Sequence, residues 1–203
     1  MTKKIKLETL IIATNNPGKI KELKQLLDTM NYNILALSDL KTPIEVIEDG
    51  ITFKQNAVKK AVEVFNAVKE PSLADDSGLC VDALDGRPGV FSARYGTPGM
   101  NDEQRCRLLL DELKDVSPEK RTASFQCVIA YKASDKTLKT FKGSVHGKIA
   151  TTLTGTKGFG YDPLFIPDGY TLTMAQIKSS EKNRISHRAK ALNKFLDYLS
   201  GLK

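Results

Sequence analysis

Two adjacent carboxylates, Asp75 and Asp76, follow the short apolar lead Ser72-Leu73-Ala74 and stand directly before Ser77-Gly78. A serine and a glycine after an apolar run signal a turn, so the pair is expected at a strand end, outside any packed layer. Carboxylates so placed can hold a divalent cation or activate a water. The chain resumes as a strand-like run from Leu79 to Leu84 and breaks again at Asp85-Gly86-Arg87-Pro88-Gly89, with Arg87 and Arg94 flanking that break. Arginines there can meet phosphate oxygens. These charges suit one substrate class, a metal-bound phosphate, although the same residues also make ordinary turn chemistry.

A second cluster lies near the N-terminus. Leu7 to Thr14 is an apolar, β-branched run expected as the first strand, and it leads into Thr14-Asn15-Asn16-Pro17-Gly18-Lys19. Ile20, Leu23, Leu27 and Met30 then recur at helical spacing. Asn16 suits the N-cap and Pro17 the first helical position, and Gly18 allows a close approach by a ligand. Lys19 beside the free N–H groups of a helix start makes an anion site. A plain structural cap fits the spacing equally well, and the glycine run and Lys-Ser/Thr pair of a Walker loop are absent.

Two further groups lie late in the chain. Gly155, Gly158 and Gly160 lead into Phe159-Gly160-Tyr161-Asp162-Pro163. Their order superficially matches a dinucleotide loop, but the required strand before and helix after are missing. Phe159 between glycines can offer its face to a flat ligand such as a base, or it can pack in the core. Asp162, restricted to extended backbone by Pro163, can orient a base or a cation. A last helix is expected over about Glu181 to Leu199, with Ile185, Ala189, Leu192, Leu196 and Leu199 as its buried stripe. Lys182 with Ser186, and Asn183 with His187, then form neighbouring four-residue pairs on one turn, beside Arg188. Cations at a helix start oppose its dipole unless an anion or strong acceptor is present. His187 lacks a partner at ligand spacing and reads as a hydrogen-bonding group, not a zinc ligand.

The elements that must position these groups are legible as patterns. Asn33 to Leu37 suits a second strand, and Phe53, Ala57, Ala61, Val64 and Val68 mark one face of a helix. Thr52 and Gln55 fit a capping box at its start. Gln55 and Asn56 can serve a cleft there or simply cap the helix toward solvent. Asn101 to Leu113 is a further helix. Arg121 to Lys132 alternates as a half-buried strand and turns at Ser134-Asp135-Lys136 into Leu138 to Val145, a hairpin that makes the sheet mixed.

With 203 residues the chain suits one well-packed domain or two closely associated lobes. No apolar run is long enough to cross a bilayer, and the N-terminal residues lack an apolar stretch followed by a small-residue cleavage site. A cytoplasmic, soluble protein is expected. Cys80, Cys106 and Cys127 sit singly in apolar patterns without metal-ligand spacing and read as buried thiols. The net charge of +7 comes from scattered lysines, not from a stripe interleaved with aromatics. It suits attraction of a small polyanion better than a nucleic-acid-binding role.

Four segments in order match one pattern: TNNPGKIKEL from Thr14, ADDSG with PGVFSARYG, GFGYDPLF from Gly158, and KNRISHRAKAL from Lys182. Together they resemble the inosine/xanthosine triphosphate diphosphatases of the Ham1-like family, over about Leu7 to Leu196. The resemblance implies a single α/β domain: an elongated, two-lobed protein with a central mixed β-sheet flanked by helices and a deep cleft between the lobes, forming a homodimer. It implies Mg²⁺-dependent hydrolysis of ITP, dITP and XTP to the monophosphate and pyrophosphate. Carried over by position, Thr14, Asn15, Asn16 and Lys19 are the triphosphate contacts, and Asp75 and Asp76 the acidic centre, with Asp76 activating water. Phe159, followed by Gly160 and Tyr161, is the stacking residue. Asp162, Lys182, His187 and Arg188 enclose the base, while Ser77, Gly78 and Arg94 shape the loop and its field. One departure is Gln55, where the family has a glutamate that helps bind the metal. As a neutral oxygen ligand Gln55 implies weaker metal affinity or lower turnover. Another is Leu153-Thr154-Gly155 in place of Pro-Arg-Gly. A nucleotide-binding protein with little catalysis is the alternative that Gln55 opens.

Overall fold

The computed structural model describes residues 8–28 and 30–201. The first strand, β1 (Glu8–Ile12), is followed by helix α1 (Pro17–Leu27), strand β2 (Tyr32–Ala36) and helix α2 (Phe53–Val68). Leu7, expected to begin β1, lies outside the described residues. Asn16 caps α1 by accepting the Lys19 N–H at 3.1 Å, with Pro17 in the first turn, as the sequence suggested. Lys69 ends α2 in the left-handed region at φ 58°, where its N–H reaches the Phe65 carbonyl.

Strand β3 (Ser72–Val81) overturns the first expectation. Asp75, Asp76, Ser77 and Gly78 form no turn, and the strand runs straight through them. Asp75 is 0 % exposed and Asp76 5 %. Turn residues weigh little against a sheet neighbour on which the strand can pair, and buried carboxylates persist only where partners meet their charge. The chain continues through helix α3 (Asp102–Glu112), the strands β4 (Thr122–Ser134) and β5 (Thr137–Ile149), joined at Asp135-Lys136, and the short strand β6 (Phe165–Pro167).

The expected last helix is two, α4 (Ser179–Ile185) and α5 (His187–Ser200). Ser186 is extended, and its hydroxyl accepts the Ala189 N–H at 3.1 Å, so the serine caps a new helix instead of continuing the old one. The pairs Lys182 with Ser186 and Asn183 with His187 therefore do not share one helical turn. The buried face of α5 carries Phe195 with Ala189 and Leu192, while Leu196 and Leu199 are only half-buried.

The six strands run in the order β2-β1-β3-β4-β5-β6. β1 is parallel to β2 and to β3, whereas β6 is antiparallel to β5, so the sheet is mixed. With its helices this is an α/β fold. The chain divides into two compact units, Met1–Asp75 with Ile129–Phe141, and Asp76–Val128 with Lys142–Lys203. The first has Leu10, Ile12, Leu23, Leu27, Ala61, Val64 and Leu73 wholly buried. The second centres on Leu79, Val81, Leu109, Leu113, Leu164 and Phe165, and Phe125 meets Phe165 edge-on with ring centres 4.8 Å apart. None of the three cysteines is in a disulfide; Cys106 and Cys127 are buried as expected, and Cys80 is half-buried.

Candidate active site

In the first unit the charged residues converge on Asp75. Thr14, buried in the loop after β1, accepts the Asn16 N–H at 3.2 Å, while Asn15 is exposed. Side chains of the loop thus already satisfy the Asn16 and Lys19 N–H groups. Lys19, one turn into α1, reaches Asp75 Oδ1 at 2.6 Å. With the carboxylate wholly buried and the lysine largely so, this pair is fixed in position.

Lys60 and Glu48, which sequence reasoning missed, complete the group. Lys60, 5 % exposed, donates to the Asp75 carbonyl at 2.8 Å and pairs with Glu48 at 2.9 Å. Its signal was available: a lysine beside Ala57, Ala61 and Val64 on the apolar face of α2 must meet a buried partner. Asn56, also buried, accepts the Gly50 N–H at 2.7 Å; a Cβ on Gly50 would lie 2.6 Å from that same oxygen, so glycine is needed there. Gln55 is exposed. Its Oε1 accepts from the Ile51 N–H at 3.0 Å and the Thr52 hydroxyl at 3.1 Å, while Thr52 accepts the Gln55 N–H. Of its two readings, the helix cap is the one this geometry uses.

Among the described residues no cluster of three or more His, Cys, Asp or Glu side chains is arranged to hold a metal ion. Glu48 and Asp75 nevertheless both meet Lys60, one through its carboxylate and the other through its carbonyl. Their carboxylates are oxygen donors of the kind Mg²⁺ takes, together with water and phosphate oxygens.

In the second unit, Asp76 accepts the N–H of Ser77 at 3.0 Å, and the Ser77 hydroxyl accepts from Arg188 Nη2 at 3.0 Å. Arg188 is 1 % exposed, which ties the start of α5 firmly to β3. Gly78 is buried in the same strand. Asp162 accepts the Phe159 N–H at 2.9 Å and is ion-paired with Lys182, both side chains being buried. Gly158 sits at φ +77° with its Cα so close to Asp162 that a Cβ would lie 1.9 Å from the carboxylate. Lys182 Nζ is 5.1 Å and Arg188 Cζ 5.7 Å from the centre of the Phe159 ring, within cation–π range. The half-buried Phe159 is therefore held among cations, and core packing is not its role.

His187 is buried at the first position of α5 and stacks on Phe125, ring centres 4.9 Å apart and planes 12° from parallel. Tyr161 is buried and donates its hydroxyl to the Ser92 carbonyl at 3.0 Å; burial pushes its phenol pKa up. Arg94 is exposed, its guanidinium 5.0 Å from the Phe91 ring. Arg87, read from the sequence as a phosphate partner, instead joins Tyr95 at 3.0 Å and Glu112 at 3.1 Å.

The mixed sheet and its flanking helices define an α/β protein. The chain belongs to the Ham1 family, whose model matches residues 10–198. A Bacillus subtilis protein named dITP/XTP pyrophosphatase is 47% identical over 184 residues, covering 91% of this chain and 93% of that protein. One of the same name from Geobacter sulfurreducens is 47% identical over 190 residues, 94% of this chain and 96% of that one. The solved structure of the Staphylococcus aureus Ham1 protein superposes with a TM-score of 0.86 at 40% identity, covering 97% of this chain and 100% of that one.

Proposed function

We propose that this protein hydrolyses ITP, dITP and XTP to the monophosphate and pyrophosphate, removing faulty purine nucleotides before a polymerase can use them. The observation that carries the reading is the buried Lys19–Asp75 pair, joined through the Asp75 carbonyl to Lys60 and Glu48. Lysines held this way supply fixed positive charge for phosphate oxygens. Two of these substrates, dITP and XTP, are those in the relatives' names.

In the proposed reaction a water oxygen bonds to the α-phosphorus as the bond from that phosphorus to the α–β bridging oxygen breaks. The bond's electron pair leaves with pyrophosphate, and the water's proton passes to Asp76. Lys19 and Lys60 hold the outer phosphates in line. Asp75 and Glu48 would hold Mg²⁺, which neutralises phosphate charge and stabilises the leaving pyrophosphate when bound. Inosine and xanthosine present a 6-oxo acceptor where adenosine presents an amine. Donors from Lys182, His187 or Arg188 are satisfied by the first two and left facing a donor by the third. An unsatisfied buried donor costs about 1–3 kcal/mol, roughly tenfold to a hundredfold in rate. We further propose a cytoplasmic homodimer. No helix among the described residues is long and apolar enough to cross a membrane.

The test is release of pyrophosphate from inosine, xanthosine, guanosine, adenosine and pyrimidine triphosphates with excess Mg²⁺. Rapid release from the first two is expected, and release of orthophosphate instead would contradict the mechanism. Nothing in the geometry favours a binding protein with little catalysis: Gln55 serves a helix start, and the carboxylates of Asp75 and Glu48 do not depend on it.

A further inference from the structure

The loop carrying Phe159 is gripped from outside by a helix to which neither composition nor motif assigned a role. Gly160, at φ +60°, has both polar groups of its backbone engaged by α3. Its N–H donates to Asp102 Oδ2 at 2.7 Å, and its carbonyl accepts from the Cys106 thiol at 3.5 Å. Asp102 and Cys106 are four residues apart on α3, so both face the same way. Burial first, then the nearby Asp102, Asp162 and Glu103 charges, push the Cys106 thiol up to about 12, so it keeps its proton and remains a donor. The other oxygen of Asp102 faces Arg105 at 3.5 Å, which orients the carboxylate.

Packing does not replace these two bonds. A cleft of about 390 Å³, lined by Asp102, Cys106, Gly158, Phe159, Gly160 and Pro163 among others, lies along this contact. The loop has room to shift there once released. We propose that Asp102 is a positioning residue for the base-holding loop: by fixing the Gly160 N–H it sets where the Phe159 ring lies. The inference rests on the reading of Phe159 as the face against which the purine stacks. Asp162 fixes the ring from within the loop, through the Phe159 N–H. Asp102 fixes the loop against the helix, and both carboxylates are needed to define one ring orientation.

The experiment compares Asp102→Ala and Asp102→Asn with the parent protein for dITP turnover and for binding of inosine monophosphate by calorimetry. Loss of one charge-assisted hydrogen bond at an exposed carboxylate is expected to raise the KM for dITP and the Kd for the monophosphate about fivefold, with kcat within about twofold. Asp102→Asn keeps an acceptor oxygen of the same reach and should restore both constants to within about twofold. Inorganic tripolyphosphate, which lacks a base, should inhibit all three proteins equally. An Asp102→Ala protein with unchanged KM and Kd, or one whose affinity for tripolyphosphate falls in parallel, overturns the proposal. Failure of the parent protein to release pyrophosphate from dITP overturns the reading of function instead. Monophosphate binding still decides the role of Asp102 in that case, and its absence from the parent protein overturns this proposal too.

Discussion

Asp75 and Asp76 are neighbours in one strand, yet the partners gathered around each are of different kinds. Asp75 is met by Lys19 from the start of α1, and Lys60 from α2 holds its carbonyl. Asp76 accepts the next residue's N–H, and that residue, Ser77, receives Arg188 from the start of α5. The first set stands on regular elements and consists of charges interrupting apolar faces. The second hangs on a glycine-bearing loop and a helix start, with backbone N–H groups as its fastenings. Buried charges, including the Lys182–Asp162 pair of the second set, fail abruptly when a partner is lost, whereas the hold on the Phe159 ring itself should weaken by degrees.

That contrast is open to attack, beginning with its largest expected effect. Asp76→Asn removes the proposed proton acceptor while keeping size and one acceptor oxygen, so pyrophosphate release should fall about 10²- to 10⁴-fold with an unchanged circular-dichroism spectrum. Retained turnover would refute the role of Asp76. Asp75→Asn leaves Lys19 facing a neutral group and should cost about 10²- to 10³-fold in kcat.

In the second set, Lys182→Met strands the buried Asp162 carboxylate, for which about 3–5 kcal/mol of stability should be lost in urea titration. Adding Asp162→Asn should recover much of it. Phe159→Ala should raise the KM for dITP by the equivalent of about 1–3 kcal/mol of stacking, leaving tripolyphosphate inhibition unchanged. An equal loss toward both ligands would erase the distinction between the sets.

Smaller effects sharpen the comparison. Gln55→Glu keeps the acceptor at the start of α2 and should leave kcat within about twofold, while Gln55→Ala should cost about 1 kcal/mol of stability as a lost cap. A clear gain in rate from the glutamate would return that position to the metal site. Hydrogen bonds from Arg184 first, then from Tyr170, hold the half-buried Glu181 carboxyl down to about 2 from 4.5. A depressed carboxylate contributes stability above its unfolded value and loses it as pH falls through the folded one. The difference in melting temperature between the parent protein and Arg184→Ala should therefore be full at neutral pH and shrink between about 4.5 and 2.

The N-cap of Asn16, the apolar face of α2, the β4–β5 hairpin and the mixed sheet could be read from the sequence because each is set by residues close together in the chain. Phe159, Asp162, Lys182 and Arg188 were legible as candidates from their motifs, and the structure does gather them. The turn expected at Asp76-Ser77-Gly78 was wrong for a stated reason: local propensity favours a turn, but sheet pairing and buried ion partners outweigh it.

What the amino-acid order determined alone was therefore the periodic elements, their caps and the chemical kinds of group available. Only the folded molecule decided that Lys60 and Glu48 join Asp75, that Ser186 divides the last helix, and that Asp102 reaches Gly160. Helix periods and caps are written in residues a few places apart. A buried charge finds its partner tens of residues away, where no local pattern records it.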